Sequence, residues 1–211
     1  MEIFNGVPGE GPVLSGTRVR LEPLAPGHGA DLAVAGEEDR GSYGYTKVPG
    51  GADVNAYLDG HFARVKAANM APFAQVRVSD GRAVGVTALW EPRRWPDRDG
   101  VFAVEIGHTW LAASAQRTGM NVEAKLLLME YAFETVGVAR VDIKTDARNE
   151  RSRTAITRLG ARFEGVLRNW QPSGVPGEDG KLRDTAMFSV IDTEWPDIKA
   201  GLTRRLAAHS G

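Results

Sequence analysis

Cysteine is missing from all 211 residues. A cysteine acyl-enzyme and any thiolate metal site are thereby excluded, and the chain suits a reducing compartment such as the cytoplasm. Long hydrophobic runs are missing too: none approaches the roughly 20 residues that a membrane span requires. The opening Met1-Glu2-Ile3-Phe4-Asn5-Gly6 lacks the charged-then-apolar layout of a signal peptide. Neither sign of charge dominates, with 26 Lys and Arg against 27 Asp and Glu. No global field would therefore recruit nucleic acid or an anionic membrane. The histidines, His28, His61, His108 and His209, are scattered without helical ligand spacing, which argues against zinc or another metal. Two phosphate loops, G-x-x-x-x-G-K-[ST] and G-x-G-x-x-G, are also absent, and with them the case for a nucleoside triphosphatase or a dinucleotide enzyme.

What is present points to one α/β domain. A hydrophobic share of 42% is enough for a core, and the length fits a single domain. Residues 1–16 are rich in Gly and Pro without a period and are expected to form a poorly ordered arm before a domain over 17–211. Thr17, Val19 and Leu21 alternate with polar residues, the two-residue period of a half-buried strand. A short helix is expected around 30–34. The segment from Gly41 to Pro49 reads as a loop that presents Tyr43 and Tyr45. After Asp53, the expected cap, Val54, Tyr57, Leu58, His61, Phe62 and Val65 line one helical stripe, which makes His61 a packing residue. Strands follow over 73–78 and 83–90, joined by the hairpin signal Asp80-Gly81.

The next strand, 101–111, sets Glu105 between Ala103 and Gly107 on one face, with open space expected beside its carboxylate. A helix then turns Leu127, Leu128, Tyr131 and Ala132 inward, leaves Glu123, Glu130 and Glu134 wet, and stops at Gly137. Val141, Ile143 and Thr145 mark another strand. A helix opening at Asn149 turns Ala155, Ile156 and Leu159 inward and stops at Gly160. Strands over 161–167 and 184–191 and an amphipathic helix within 193–211 complete the chain. Helices mixed with hairpins and a strand-helix-strand crossing give a mixed sheet.

The stretch that carries chemistry is Gln116-Arg117-Thr118-Gly119-Met120-Asn121, which follows the strand ending at Trp110-Leu111. Main-chain N–H groups in a helix's opening turn lack partners within the helix and sit at the positive end of its dipole. Such a start suits an anion, phosphate above all, and Gly119 lets it approach the main chain. One glycine there is also explained by sterics alone. A second helix start, with Asn149 and Ser152, follows the neighbouring strand, so two strand ends would face two helix starts across a cleft.

These segments resemble the Gcn5-related N-acetyltransferase (GNAT) superfamily, and within it the RimJ/RimL-like branch that modifies ribosomal-protein N-termini. The resemblance lies in Glu105-Ile106-Gly107-His108-Thr109-Trp110-Leu111, in Gln116-x-x-Gly119 leading into Asn121-x-Glu123-Ala124-Lys125, and in Asp146 to Arg153 and Leu159 to Arg168. One departure is Asn121, which stands where the family usually has Gly or Ala. The resemblance implies a single-domain fold with a mixed, largely antiparallel sheet of six or seven strands, splayed at the cofactor cleft, and about four to five helices.

It further implies that the main chain of Thr109, Trp110 and Leu111 pairs with the pantetheine arm of acetyl-CoA. The N–H groups of Arg117, Thr118, Gly119, Met120 and Asn121 would hold the pyrophosphate with help from Gln116. Asn149 would bond the pantetheine, Ser152 would stand near the thioester sulfur, and Glu105 near the incoming amine as base. Asn149 reads equally well as a simple N-cap and Ser152 as a helix-start residue; Arg151 and Arg153 are open between phosphate contact and a solvated face. Tyr43, Tyr45, Trp90 and Trp95 are expected to border the acceptor, which the branch suggests is a protein N-terminal amine. A small amine acceptor and a non-catalytic acyl-CoA sensor are the alternatives, and a homodimer through the final strands or last helix is left open.

Overall fold

The computed structural model describes residues 3–208; the readings placed on Met1, Glu2, His209 and the last two residues lie outside them. Eight strands form one sheet in the order β1-β2-β3-β4-β5-β6-β8-β7. They are β1 (Leu14–Ser15), β2 (Val19–Pro23), β3 (Met70–Arg77), β4 (Ala83–Arg94), β5 (Val101–Leu111), β6 (Arg140–Asp146), β7 (Arg162–Pro172) and β8 (Leu182–Ile191). All neighbours are antiparallel except β5 and β6. The helices are α1 (Gly29–Glu37), α2 (Val54–Lys66), α3 (Met120–Glu130), α4 (Glu150–Arg158) and α5 (Trp195–Ala208). No described helix is long and apolar enough to cross a membrane.

The sheet has one strand more than the six or seven expected. The extra strand is the two-residue β1, which pairs Leu14 with Leu21. A pair of residues has no period to read, so β1 is invisible in the sequence. It lies in the segment expected to be a loose arm, and that segment also sends Ile3 and Phe4 into the core, 5% and 3% exposed. Gly and Pro make the path irregular there; they do not keep it from packing.

The middle strands are buried on both faces, β3 nearly throughout and β4 from Ala83 to Leu89, with Phe73, Leu89, Ile106 and Phe188 among the sealed side chains. Periodicity held where one face is wet. Helix α2 buries Val54, Leu58, His61 and Val65, and α4 stops at Gly160 in left-handed backbone. Asp53 does occupy the N-cap position of α2, but its carboxylate bonds no helix N–H. Ala155 is exposed on α4, not inward, because only Ile156 and Leu159 on that stripe reach the core.

Glu123 reverses its expected position. Read as part of the wet side of α3, it is 6% exposed and binds the turn ahead of β2. Its carboxylate accepts the Thr17 N–H at 2.9 Å, the Thr17 hydroxyl at 2.8 Å, the Arg18 N–H at 2.7 Å and the Val19 N–H at 2.8 Å. Burial pushes its pKa up, but these four bonds outweigh burial and hold it below the ordinary carboxylate value. A side chain at Gly16 would stand 2.5 Å from that carboxyl group, so glycine there is what lets the turn close on Glu123. The clamp fixes the first turn of α3 against the sheet. Glu123→Gln places an N–H₂ against main-chain N–H groups and should lower stability by about 2–3 kcal/mol. Because a lowered pKa stabilises above the ordinary carboxylate range and is lost in acid, the gap between wild type and variant in urea denaturation should shrink as pH falls.

Candidate active site

Strands β5 and β6 run parallel for only three pairs, Ala103 with Arg140, Val104 with Val141 and Glu105 with Asp142. Beyond Glu105, β5 continues to Leu111 against β4, while β6 continues to Asp146 against β8. The two therefore part into a wedge whose apex is Glu105. Bulges accompany the parting. Between Val86/Ala88 on β4 the register of β5 gains a residue, and His108 there adopts a left-handed φ of 52°. An extra residue of this kind bends its strand and aims side chains away from the ladder. Gln75, fully buried, repairs the irregularity by donating to the carbonyls of Val86 and Trp110, each at 3.0 Å.

The open ends of the wedge lead to two helix starts. On the β5 side, Arg117 and Gly119 both have left-handed backbone, φ 63° and 86°; turns of this kind gather successive N–H groups into one concavity that suits an anion. Gly119 is the N-cap of α3. A Cβ on it would stand 2.9 Å from the Arg18 Nε, so the missing side chain also admits a guanidinium beside the turn. Nothing in the sequence signals Arg18, which lies about a hundred positions upstream in the turn before β2. Asn121, the departure from the family pattern, has a buried side-chain oxygen without a partner among the described residues.

On the β6 side, Asp146 folds the turn into α4 by accepting the Arg148 N–H at 2.9 Å and pairing its guanidinium at 2.7 Å. The Asn149 side-chain Oδ1 accepts the Ser152 N–H at 3.0 Å, so the N-cap reading of Asn149 is what its side-chain oxygen does, with the amide N–H₂ left for other use. The Ser152 hydroxyl has no hydrogen bond among the described residues.

Gln116 and Arg151 are a brace between the two helix starts. The Gln116 amide donates to the Leu111 carbonyl at 2.9 Å and to the Ser42 hydroxyl at 3.2 Å, and accepts from Arg151 at 2.6 Å. Its polar atoms are thus engaged in holding the loop, not free for a phosphate. The carbonyls of Trp110 and Leu111 likewise already accept from Gln75 and Gln116.

Around the apex, Glu105 is 5% exposed and pairs with Lys144 Nζ at 2.8 Å. Lys144 also meets Glu91 at 3.3 Å and lies 4.6 Å from the centre of the Trp90 ring. The open space expected beside Glu105 is filled: a side chain at Gly107 would meet the Trp90 indole nitrogen at 2.5 Å and Glu105 itself at 2.9 Å. Burial, opposed by the Lys144 charge, pushes the Glu105 pKa up to about 7. Lys144 was missed because an alternating strand labels it as solvent-facing. Beside Trp90 stand His108, 4.6 Å away edge-on, and His61, 5.2 Å further. His61 bonds the Tyr57 carbonyl through Nδ1 at 2.9 Å, and its Nε2 is buried without a partner among the described residues. Burial holds the pKa of both rings low, His108 at about 3.

The four aromatics expected to border an acceptor are not one group. Trp90 stands at Glu105, and Tyr45 lies under the Arg148 guanidinium, 5.1 Å from its ring centre, near the start of α4. Tyr43 is buried, its hydroxyl on the Ala35 carbonyl at 3.1 Å and its ring edge-on to Trp110; it packs the core. Trp95, just past the end of β4, packs tilted on Phe102 at 5.0 Å and under the Arg98 guanidinium at 4.0 Å, away from Trp90.

Behind the bulge, Lys125 is buried with its amine between two threonines. Its Nζ donates to Thr109 Oγ1 at 2.5 Å and to Thr87 Oγ1 at 3.3 Å. Thr109 in turn reaches the Gly107 carbonyl at 3.3 Å. Burial pulls the Lys125 pKa from 10.5 to about 7, against the attraction of Glu105. A lysine whose folded pKa is lowered costs stability below that value, and the cost disappears as pH approaches 10.5. Lys125→Met leaves the two hydroxyls bonded to each other at 2.8 Å. The variant should be more stable than wild type at pH 7 by about 1–4 kcal/mol, with the gap closing near pH 10 in urea titrations; an equal gap at both pH values would contradict a charge-burial origin.

Comparison with known proteins agrees with this geometry. Residues 18–162 match the family model described as an acetyltransferase (GNAT) domain. A GCN5-related N-acetyltransferase from Brucella melitensis is 30% identical, with a TM-score of 0.78 over 95% of this chain and 87% of that one. Mycobacterium smegmatis RimJ, solved with CoA-disulfide, is 20% identical, with a TM-score of 0.74 over 95% of this chain and 96% of that one. The microcin C7 self-immunity acetyltransferase MccE, solved with acetyl-CoA and AMP, is 18% identical, with a TM-score of 0.66 over 83% of this chain and 93% of that one. No curated protein matches the sequence.

Proposed function

The chain belongs to the GNAT acetyltransferase family, and on that premise we propose that it moves an acetyl group from acetyl-CoA to the N-terminal α-amine of a protein, as the RimJ/RimL-like branch does. The observation that carries the reading is Glu105, buried at the apex where β5 and β6 part, with two helix starts at the open end.

In this reading the pantetheine arm lies along β5 at Thr109 to Leu111, within the wedge. The concavity formed by Arg117, Thr118, Gly119, Met120 and Asn121 receives the pyrophosphate, with the Arg18 guanidinium beside it. Gln116 contributes by holding that turn in place. Asn149 offers its N–H₂ group to the pantetheine, and Ser152 its hydroxyl to the sulfur. The structures of RimJ with CoA-disulfide and MccE with acetyl-CoA support a coenzyme in this cleft.

The acceptor amine must lose a proton before it can attack a thioester. An α-amino group, titrating at about 7.7–8.0, gives it up far more readily than a lysine at about 10.4. Glu105, raised to about 7, is matched to that task, since a base works best when its pKa is near the operating pH. A main-chain N–H at the His108 bulge stabilises the charge that develops on the carbonyl oxygen. Trp90 and Tyr45 border the approach of the acceptor.

The base is active once deprotonated, so kcat/KM should fall as pH drops below about 7. Glu105→Gln should lower kcat by about 10- to 1,000-fold and flatten that limb. The assay follows CoA release with peptides bearing free N-termini and with small amines, products being identified by mass spectrometry. Acetylation of small amines alone would overturn the proposed acceptor, and an unchanged pH profile in the variant would remove Glu105 from the mechanism.

A further inference from the structure

The ε-amine of Lys144 stands where an acceptor amine would have to stand. Its Nζ is 2.8 Å from the Glu105 carboxylate, 3.3 Å from Glu91 and 4.6 Å from the centre of the Trp90 ring. Lys144 sits on β6 two residues past Asp142, the last residue that pairs with β5, so it lies just inside the parting of the strands. Its side chain is 5% exposed, whereas that of Glu91 is 49% exposed, which places the amine directly beneath the surface and not deep in the core. No other lysine of the described chain touches Glu105; Lys125 is spent on two threonines, and Lys47, Lys66 and Lys181 are exposed on other segments.

We propose that Lys144 is a self-acetylation site, modified by the acetyl-CoA bound in its own cleft when no acceptor is present. The inference rests on the acetyl-transfer reading above. The Glu105 carboxylate, 2.8 Å from Nζ, is placed to take a proton from Lys144 during the reaction, as it would from an acceptor amine. The free amine attacks the acetyl carbonyl; a nitrogen–carbon bond forms and the carbon–sulfur bond breaks. Of the two protons that the ammonium loses, one leaves through Glu105 to solvent and the other ends on the coenzyme thiol. The product is an amide at Lys144, which can no longer pair with Glu105. An occupied acceptor site competes with this reaction, so self-acetylation marks enzyme that holds acetyl-CoA and lacks its substrate.

The test is incubation of the full chain with acetyl-CoA alone, followed by intact-mass measurement and peptide mapping, with coenzyme binding measured by calorimetry on the same sample. One acetyl group per chain, mapped to Lys144, is expected. Glu105→Gln should slow its appearance at least about tenfold, Lys144→Arg should abolish it, and added acceptor should suppress it. Coenzyme binding and amine turnover with Lys144 left unmodified would overturn the inference alone, as would acetylation spread over the exposed lysines at a rate indifferent to Glu105→Gln. Absence of coenzyme binding would overturn the acetyl-transfer reading, and this inference with it.

Discussion

The parting of two parallel strands is the constraint on which the site depends. A continuous β5–β6 ladder would satisfy the main chain of both strands and leave no slot. Three pairs are enough to anchor the sheet, and every later polar group on the facing edges must find another partner. The protein supplies some of these from side chains. Gln116 covers the carbonyl of Leu111, and Asp146 organises the turn that carries β6 into α4. What these side chains do not cover is the part of the edge at which an extended arm could add itself as a strand.

Charge burial gathers at the same place. Glu105 with Lys144, and Lys125 with its threonines, are ionisable groups removed from water within the sheet's centre. A hydrophobic core of the same size would be more stable. Glu105 and Lys125 both have pKa values moved to about 7, the pattern expected where protons must move near neutral pH. The Glu123 clamp is different in kind. Its carboxylate is satisfied by four donors and holds the first turn of α3 to the turn before β2 that brings Arg18 beside it.

Much of this was legible in the residues. The strand-helix succession, the hairpin at Asp80-Gly81, the helix start at Gly119 and the carboxylate at 105 follow from period, turn chemistry and spacing. The rest was not, for separable reasons. Strand β1 is too short to have a period. Glu123 on its helix face and Lys144 in its alternating strand both fall at positions that read as wet, and only the contacts of distant segments show that each is buried against a partner. Tyr43 and Trp95 share the composition of a binding loop, yet one packs on Trp110 and the other on Phe102 past the end of β4; aromatic content does not distinguish a lining from a wall. Gln116 was placed at the correct turn, but its amide turns out to brace the two helix starts.

Hydrogen–deuterium exchange with and without coenzyme A tests the central claim most directly, because it reports which main-chain N–H groups a bound arm covers. Slowed exchange confined to Thr109 to Leu111, Arg117 to Asn121 and the first turn of α4 is the predicted result. Coenzyme that binds while leaving the facing edges of β5 and β6 unprotected would contradict the account.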